Sequence, residues 1–289
     1  MRWYKVELVC SRKNASALEE ILIAIGSISI SITNKTKQNI YEPGVGETPL
    51  WDKIKISALF ENEIPEEKII SSLNLVDYSN LSISELEEIN WVESYQRSFQ
   101  PIQFGKNLVV VPSWLKKDKY LDKVIIKMDP GLAFGSGSHE TTHLCLEYLD
   151  RNNPTDLSVL DYGCGSGILS IAAAFLGAKN VISTDIDPQA LESCLKNSEK
   201  NGVSNKIKIL SLNQLSEIKV DILIANILSK TLMSLRDEFL VFLDLGSKIV
   251  LSGIMEDQLN SVIKHYENFC NIESIETKND WCLVELTKK

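Results

Sequence analysis

The sequence predicts an α/β protein in two parts: a doubly wound, mostly parallel sheet preceded by a smaller α+β unit. Three observations carry this prediction. From residue 159 onward, apolar runs of strand length alternate with amphipathic runs of helix length, the pattern of parallel strands covered on both faces. Before residue 86 the order reads βαββαβ, which closes a small sheet backed by two helices. The 289 residues suffice for an α/β core and one smaller domain, but not for three ordinary domains.

In the first part, Tyr4, Val6 and Leu8 alternate with polar positions as a strand. Asn14 stands where it can cap a helix running to Ile25, which Gly26 would stop. Ile28, Ile30 and Ile32 interleave with Ser27, Ser29 and Ser31, giving a half-buried strand at period two. Residues 40–52 carry turn chemistry, and Ile54, Ile56, Ala58 and Phe60 then alternate as a third strand. A helix over 65–75 and a short strand over 81–86 complete a ferredoxin-like unit assigned to residues 1–85. A helix with an aromatic face (Trp91, Tyr95, Phe99) ends before Pro101, making 86–100 the connector to a domain spanning 101–289.

In the second part, residues 108–111 read as a strand. Strands follow at 159–161, 181–185, 207–210 and 221–225, with helices at 167–176 and 188–200 between them. After a helix near 256–269, strands at 272–277 and 281–286 are joined by a Lys-Asn-Asp turn too short for anything but antiparallel pairing. A doubly wound, Rossmann-like sheet with such a hairpin resembles the seven-stranded class I methyltransferases more than the dinucleotide dehydrogenases.

Composition narrows the class. With 44% apolar and 24% charged residues, the chain is globular and neither disordered nor fibrous. Its longest apolar stretch, residues 21–32, is interrupted by Gly26 and falls short of the ~20 residues of a membrane span. The first residues lack a signal-peptide pattern, so a cytoplasmic, monomeric protein without membrane contact is expected. Six dispersed cysteines with no Cys-x-x-Cys pair argue for reduced, structural thiols and against a metal centre. The net charge of −9 disfavours binding along a phosphate backbone, so no direct nucleic-acid readout is expected.

The chemistry concentrates in four places. Asp161-Tyr-Gly-Cys-Gly-Ser-Gly167 puts three glycines between a buried strand and a helix, where the backbone can approach a ligand beside a helix N-terminus. An isolated Gly-x-Gly-x-Gly also serves as a plain tight turn. Asp185 ends the next strand, where a carboxylate meets a ribose in doubly wound folds. A nicotinamide cofactor would accept that arrangement too, but the glycine spacing, directly after Asp161, favours S-adenosylmethionine. Asp187 and Pro188 start the following helix as cap and first residue. Asn226 ends a third apolar strand, and an uncharged amide suits methyl transfer to an amine. A hydrogen-bond acceptor can hold the neutral nucleophile in line, whereas a carboxylate favours the unreactive ammonium. The segment 128–142 offers glycines and hydroxyls before a helix. Its His139 is a candidate for the chemistry, although a lone loop histidine more often simply forms hydrogen bonds. His143 and His265 read as structural.

Several segments together resemble the PrmA family, which methylates ribosomal protein L11 of the large subunit. They are Asp129-Pro-Gly-Leu-Ala-Phe-Gly-Ser-Gly-Ser-His-Glu-Thr-Thr142, the glycine turn, Ala225-Asn-Ile-Leu228, Leu251-Ser-Gly-Ile254, Trp281-Cys282 and the upstream stretches 91–105 and 112–114. The resemblance spans nearly the whole chain, and the first segment and Ala-Asn-Ile-Leu are its most specific parts. It implies that the N-terminal unit recognises the ribosomal protein. The second domain would then methylate lysine side chains and an N-terminal α-amino group. Matching positions implies that Thr142, Gly163, Gly165, Asp185 and Asn226 contact the cofactor, with Asn226 also near the acceptor amine. Ser136 and Ser138 stand where the family often has threonine, keeping the hydroxyl with a looser rotamer. A related methyltransferase for another protein or small amine, or a non-catalytic cofactor-sensing module that binds the ribosome, remains the alternative on these residues.

Overall fold

The computed structural model describes residues 2–36, 51–86, 100–115, 120, 122–129, 139–215 and 218–289. The chain divides into two compact units, residues 1–97 and 98–289. The connector helix expected over 86–100 lies almost wholly outside the described residues.

The first unit runs β1 (Trp3–Ser11), α1 (Ala15–Ala24), β2 (Ser29–Asn34), β3 (Lys53–Phe60), α2 (Glu66–Leu73) and β4 (Ser79–Leu86). Its sheet has the order β2-β3-β1-β4 with every pairing antiparallel, the ferredoxin-like arrangement expected from βαββαβ. The alternation in β3 buries Ile54, Ile56, Ala58 and Phe60 against Leu18 and Leu22 of α1 and Ile69 and Leu73 of α2. Gly26, at φ +105, ends α1 as expected. The cap does not form: the Asn14 side chain makes no bond to the helix start, and its amide donates to the Asp77 carbonyl at 2.9 Å. The Asn14 amide group is turned outward to that carbonyl, and Asn14 ties α1 to the loop before β4.

The second unit opens with a three-stranded sheet, β5 (Ile102–Phe104), β6 (Leu108–Val111) and β7 (Val124–Lys127), of which the sequence reading found only β6. There follow α3 (Glu140–Arg151), β8 (Ser158–Tyr162), α4 (Ile168–Phe175), β9 (Asn180–Thr184), α5 (Pro188–Lys200), β10 (Ile207–Ile209) and β11 (Val220–Asn226). Then come α6 (Ser229–Ser234), α7 (Arg236–Val241), β12 (Leu243–Met255), α8 (Leu259–Tyr266), β13 (Cys270–Lys278) and β14 (Trp281–Lys288). The seven-stranded sheet has the order β10-β9-β8-β11-β12-β14-β13, parallel except that β14 runs antiparallel to both of its neighbours. Alternate residues of β11 feed opposite cores. Ile222 and Ile224 pack with α3 and α4, while Leu223 and Ala225 pack with α6, α7 and α8.

Register then places the chemistry. Tyr162 pairs with Thr184 and Ala225 with Tyr162, so residues 163, 185 and 226 stand one step past the shared last rung of β8, β9 and β11. That rung is the carboxyl edge of a parallel sheet, where the order β9-β8-β11 reverses direction from one half to the other.

Candidate cofactor and acceptor site

The turn after β8 is built from left-handed glycines, with φ of +80 at Gly163, +52 at Gly165 and +81 at Gly167. The N–H groups of Gly163 and Cys164 both donate to the Thr184 carbonyl at 2.9 Å, stitching the turn to the end of β9. Gly165 N–H donates to Asp185 Oδ2 at 2.9 Å, and Asp187 N–H donates to Asp185 Oδ1 at 3.0 Å. Each oxygen of Asp185 therefore spends one lone pair on backbone and keeps another for a ligand hydroxyl. Asp187 caps α5 by accepting from Gln189 N–H at 2.9 Å, as the sequence implies.

Beneath the turn lies Asp161, 1% exposed. Its Oδ2 accepts from the backbone N–H of Ser170 at 3.0 Å and from the Ser170 hydroxyl, which also meets the Ser183 hydroxyl. Its Oδ1 is buried with no hydrogen-bond partner among the described residues. Burial pushes the Asp161 carboxyl up to about 6, against the stabilising bonds from Ser170.

On the far side of β8, Asn226 is half-buried and its Nδ2 points to the Thr142 hydroxyl at a long 3.5 Å. Thr142 is itself buried, in the first turn of α3. The amide oxygen of Asn226 is left to accept. The five predicted residues thus gather as a Gly165–Asp185 pair and a Thr142–Asn226 pair, with Gly163 between them against Ile227.

His139 forms hydrogen bonds, the reading a lone loop histidine favoured. It is the N-cap of α3: its Nδ1 accepts from Thr141 N–H at 3.3 Å and lies 2.8 Å from the Thr141 hydroxyl. Its ring stands edge-on to Trp281 with centroids 5.0 Å apart. Asn279 Nδ2 adds a bond to Glu140 at 3.1 Å, so the turn between β13 and β14 steadies the helix that carries Thr142. Residues 130–138, with Phe134, Ser136 and Ser138, lie outside the described residues. The residue just before them, Asp129, accepts from Ser113 N–H, the Ser113 hydroxyl and Lys200 Nζ at 2.6–2.7 Å. Burial, the largest single influence, pushes the Asp129 carboxyl up, but the bonds from Lys200 and Ser113 and the Lys200 charge together outweigh it and hold the carboxyl below the usual carboxylate range. Sequence reasoning gave this residue no separate task. His143 meets Glu147 at 3.2 Å and His265 meets the Ser261 carbonyl at 2.8 Å, both structural contacts.

These groups fit S-adenosylmethionine. The spare lone pairs of Asp185, the orphaned Asp161 oxygen and the Asn226 amide are acceptors for a ligand rich in hydroxyl and amino donors that carries a positive sulfonium. A cleft of about 680 Å³ opens beside Gly165 and Asp185 along α5.

The family described as Ribosomal protein L11 methyltransferase (PrmA) matches residues 2–289. The chain belongs to that family. A ribosomal protein L11 methyltransferase of Glaesserella parasuis is 39% identical, covering 100% of both chains. One of Hahella chejuensis is 36% identical over 98% of both. Among solved structures, a ribosomal protein L11 methylase from Lactobacillus delbrueckii subsp. bulgaricus superimposes with a TM-score of 0.61 at 33% identity, covering 66% of this chain and 100% of that one. The family match agrees with the seven-stranded methyltransferase sheet and with the small N-terminal sheet that precedes it.

Proposed function

We propose that this protein transfers methyl groups from S-adenosylmethionine to ribosomal protein L11, on lysine side chains and on the N-terminal α-amino group. The observation that carries this reading is the convergence of Gly163, Asp185 and Asn226 one step past the last shared rung of β8, β9 and β11, in a chain of this family. Bound S-adenosylmethionine supplies an electrophilic methyl on a positive sulfonium. The glycine turn and Asp185 hold the nucleoside end, and Ile186, 86% exposed between two aspartates, offers an apolar surface to the purine. Thr142 orients the Asn226 amide, whose oxygen accepts from the incoming amine. Because Asn226 carries no charge, it stabilises the ammonium form far less than a carboxylate would, so the amine can lose its proton to solvent before attack.

Residues 1–85 form the recognition unit for the ribosomal protein in this reading, 86–100 the connector and 101–289 the catalytic domain. The sheet of the first unit presents Lys5, Lys55 and Ser57 around Glu7, at 3.0, 2.7 and 3.1 Å, a polar surface suited to a protein partner. The protein works as a cytoplasmic monomer without direct nucleic-acid readout, in keeping with its charge of −9. No helix among the described residues is long and apolar enough to cross a membrane.

The test is incubation of the purified protein with labelled S-adenosylmethionine and ribosomal protein L11, followed by mass spectrometry. Methylated lysines and a methylated α-amine are expected, and an unlabelled L11 overturns the substrate. Stabilisation in a thermal shift by S-adenosylhomocysteine and not by NAD is expected in parallel.

A further inference from the structure

The Leu251-Ser-Gly-Ile254 and Trp281-Cys282 segments carry part of the family resemblance, yet the site as described gives Ser252 and Gly253 no task. Ser252 pairs with Asn226 across β11 and β12, and the pairing of β12 with β14 slips between Leu251 and Ile254. Within that bulge Gly253 adopts φ +82. A Cβ on Gly253 would lie 2.2 Å from the Ile227 carbonyl oxygen, 2.8 Å from its carbon and 3.1 Å from its nitrogen. All three are backbone atoms, so no rotamer change relieves the contact. On the other side, a Cβ on Gly163 would lie 2.4 Å from Ile227 Cγ2. Ser252, with no exposed surface, fixes the bulge by donating its hydroxyl to the Cys282 carbonyl at 3.1 Å.

Ile227, the residue after Asn226, is therefore held between two glycines, its peptide against Gly253 of β12 and its side chain against Gly163 in the turn after β8. We infer that Gly253 is a positioning residue for methyl transfer. Its bulge sets the Ile227 peptide, and through it the Asn226 amide and the half-exposed Leu228 beyond, at the place where the acceptor amine must align. The inference rests on the reading that Asn226 holds that amine. A shift of this peptide moves the nucleophile relative to the methyl group while leaving the Gly165–Asp185 pair two strands away untouched, so turnover and cofactor affinity separate.

The experiment uses the full chain with Gly253→Ala, Ser252→Ala, Asn226→Ala and the Asn226→Ala/Gly253→Ala pair. Single-turnover transfer to L11 and calorimetric affinity for S-adenosylhomocysteine are measured for each. Gly253→Ala is expected to slow transfer roughly 10- to 100-fold with cofactor affinity within about threefold of the parent. Ser252→Ala, which keeps the bulge sterically intact but loses its fixing bond, is expected to slow transfer about threefold to tenfold, and it alone decides the matter if Gly253→Ala does not fold. The double variant should be no slower than Asn226→Ala. Parental rates in both Gly253→Ala and Ser252→Ala, or a loss of cofactor affinity that parallels the loss of rate, overturn the inference. If Asn226→Ala itself transfers at the parental rate, the acceptor reading falls. If Asn226→Ala is slow while Gly253→Ala is fast, only the role of Gly253 falls.

Discussion

The turn after β8 carries its own glycines, three between residues 163 and 167 at positive φ, whereas the turn after β11 carries none and takes its room from Gly253 in β12 and from Gly163 in the first turn. The first turn is a local device. Its three left-handed glycines lie within five residues, and its backbone bonds reach only the end of the adjacent β9, at Thr184 and Asp185. The second is a tertiary device, since its geometry exists only when β8, β11, β12 and β14 are in register. The difference separates two tasks. Damage to the first turn should be felt as lost cofactor affinity, and damage around the second as lost turnover.

The largest effect that can break this separation is expected at Asn226. Asn226→Ala should lower single-turnover methylation of L11 by roughly 100-fold or more, the scale of losing one well-placed polar group at a reacting centre, with a much smaller loss of cofactor affinity from its own contact to the cofactor. Equal losses of rate and affinity would merge the two turns into one functional unit. Asp185→Ala tests the other side: calorimetry should show S-adenosylhomocysteine binding weakened by about 1 to 3 kcal/mol, and an unaltered affinity would remove Asp185 from the cofactor site. Gly167→Ala places a Cβ 2.5 Å from Cys194 Sγ and 3.1 Å from Cys194 Cα, so unfolding stability should fall by about 1 to 3 kcal/mol. Cys194→Ala in the same chain should recover part of that loss, and no recovery would mean that backbone strain at Gly167, and not the sulfur, sets the cost.

The smallest effect is a pH dependence, and here the two units differ in sign. Asp161 is raised in the folded chain from 3.8 to about 6 by burial, so the folded state holds its proton longer than the unfolded one. The stability of the cofactor-free second unit should therefore decline as pH rises through that window and level off above it. Glu7 is held at about 2 by Lys55, with Lys5 and Ser57 adding to it against burial. Its contribution is present above 4.5 and is lost as pH falls toward 2. Urea unfolding of the parent and of Asp161→Asn across pH 4 to 7 measures the first trend, and parallel curves would show that Asp161 does not titrate there.

Much of this division was legible from residue order. Period-two alternation located β3 and an unbroken apolar run located β11, and the glycine turn, Asp185 and Asn226 each stood at the end of an apolar run that the fold turned into a strand end. Leu251-Ser-Gly-Ile254 stood out only as a segment shared with the family, because the bulge at Gly253 and the peptide it meets are set by the register with β14. β5 has three residues and β7 four, too few for a period to emerge. Asn14 stood at the expected cap position, but the Asp77 carbonyl that claims its amide is 63 residues away. His139 looked like a loop residue until α3 was seen to begin immediately after it.

The placement of β14 between β12 and β13 also dictates an order of assembly. The ribosome delivers the strands as β12, β13, β14, but in the sheet they lie as β12, β14, β13. Until Trp281–Lys288 has been made, the edge of β12 stays bare, β13 has nowhere to dock, and the Ser252 hydroxyl has no Cys282 carbonyl to bind. The acceptor half of the site is thus completed only when β14 arrives, after the cofactor half has all of its own strands in hand.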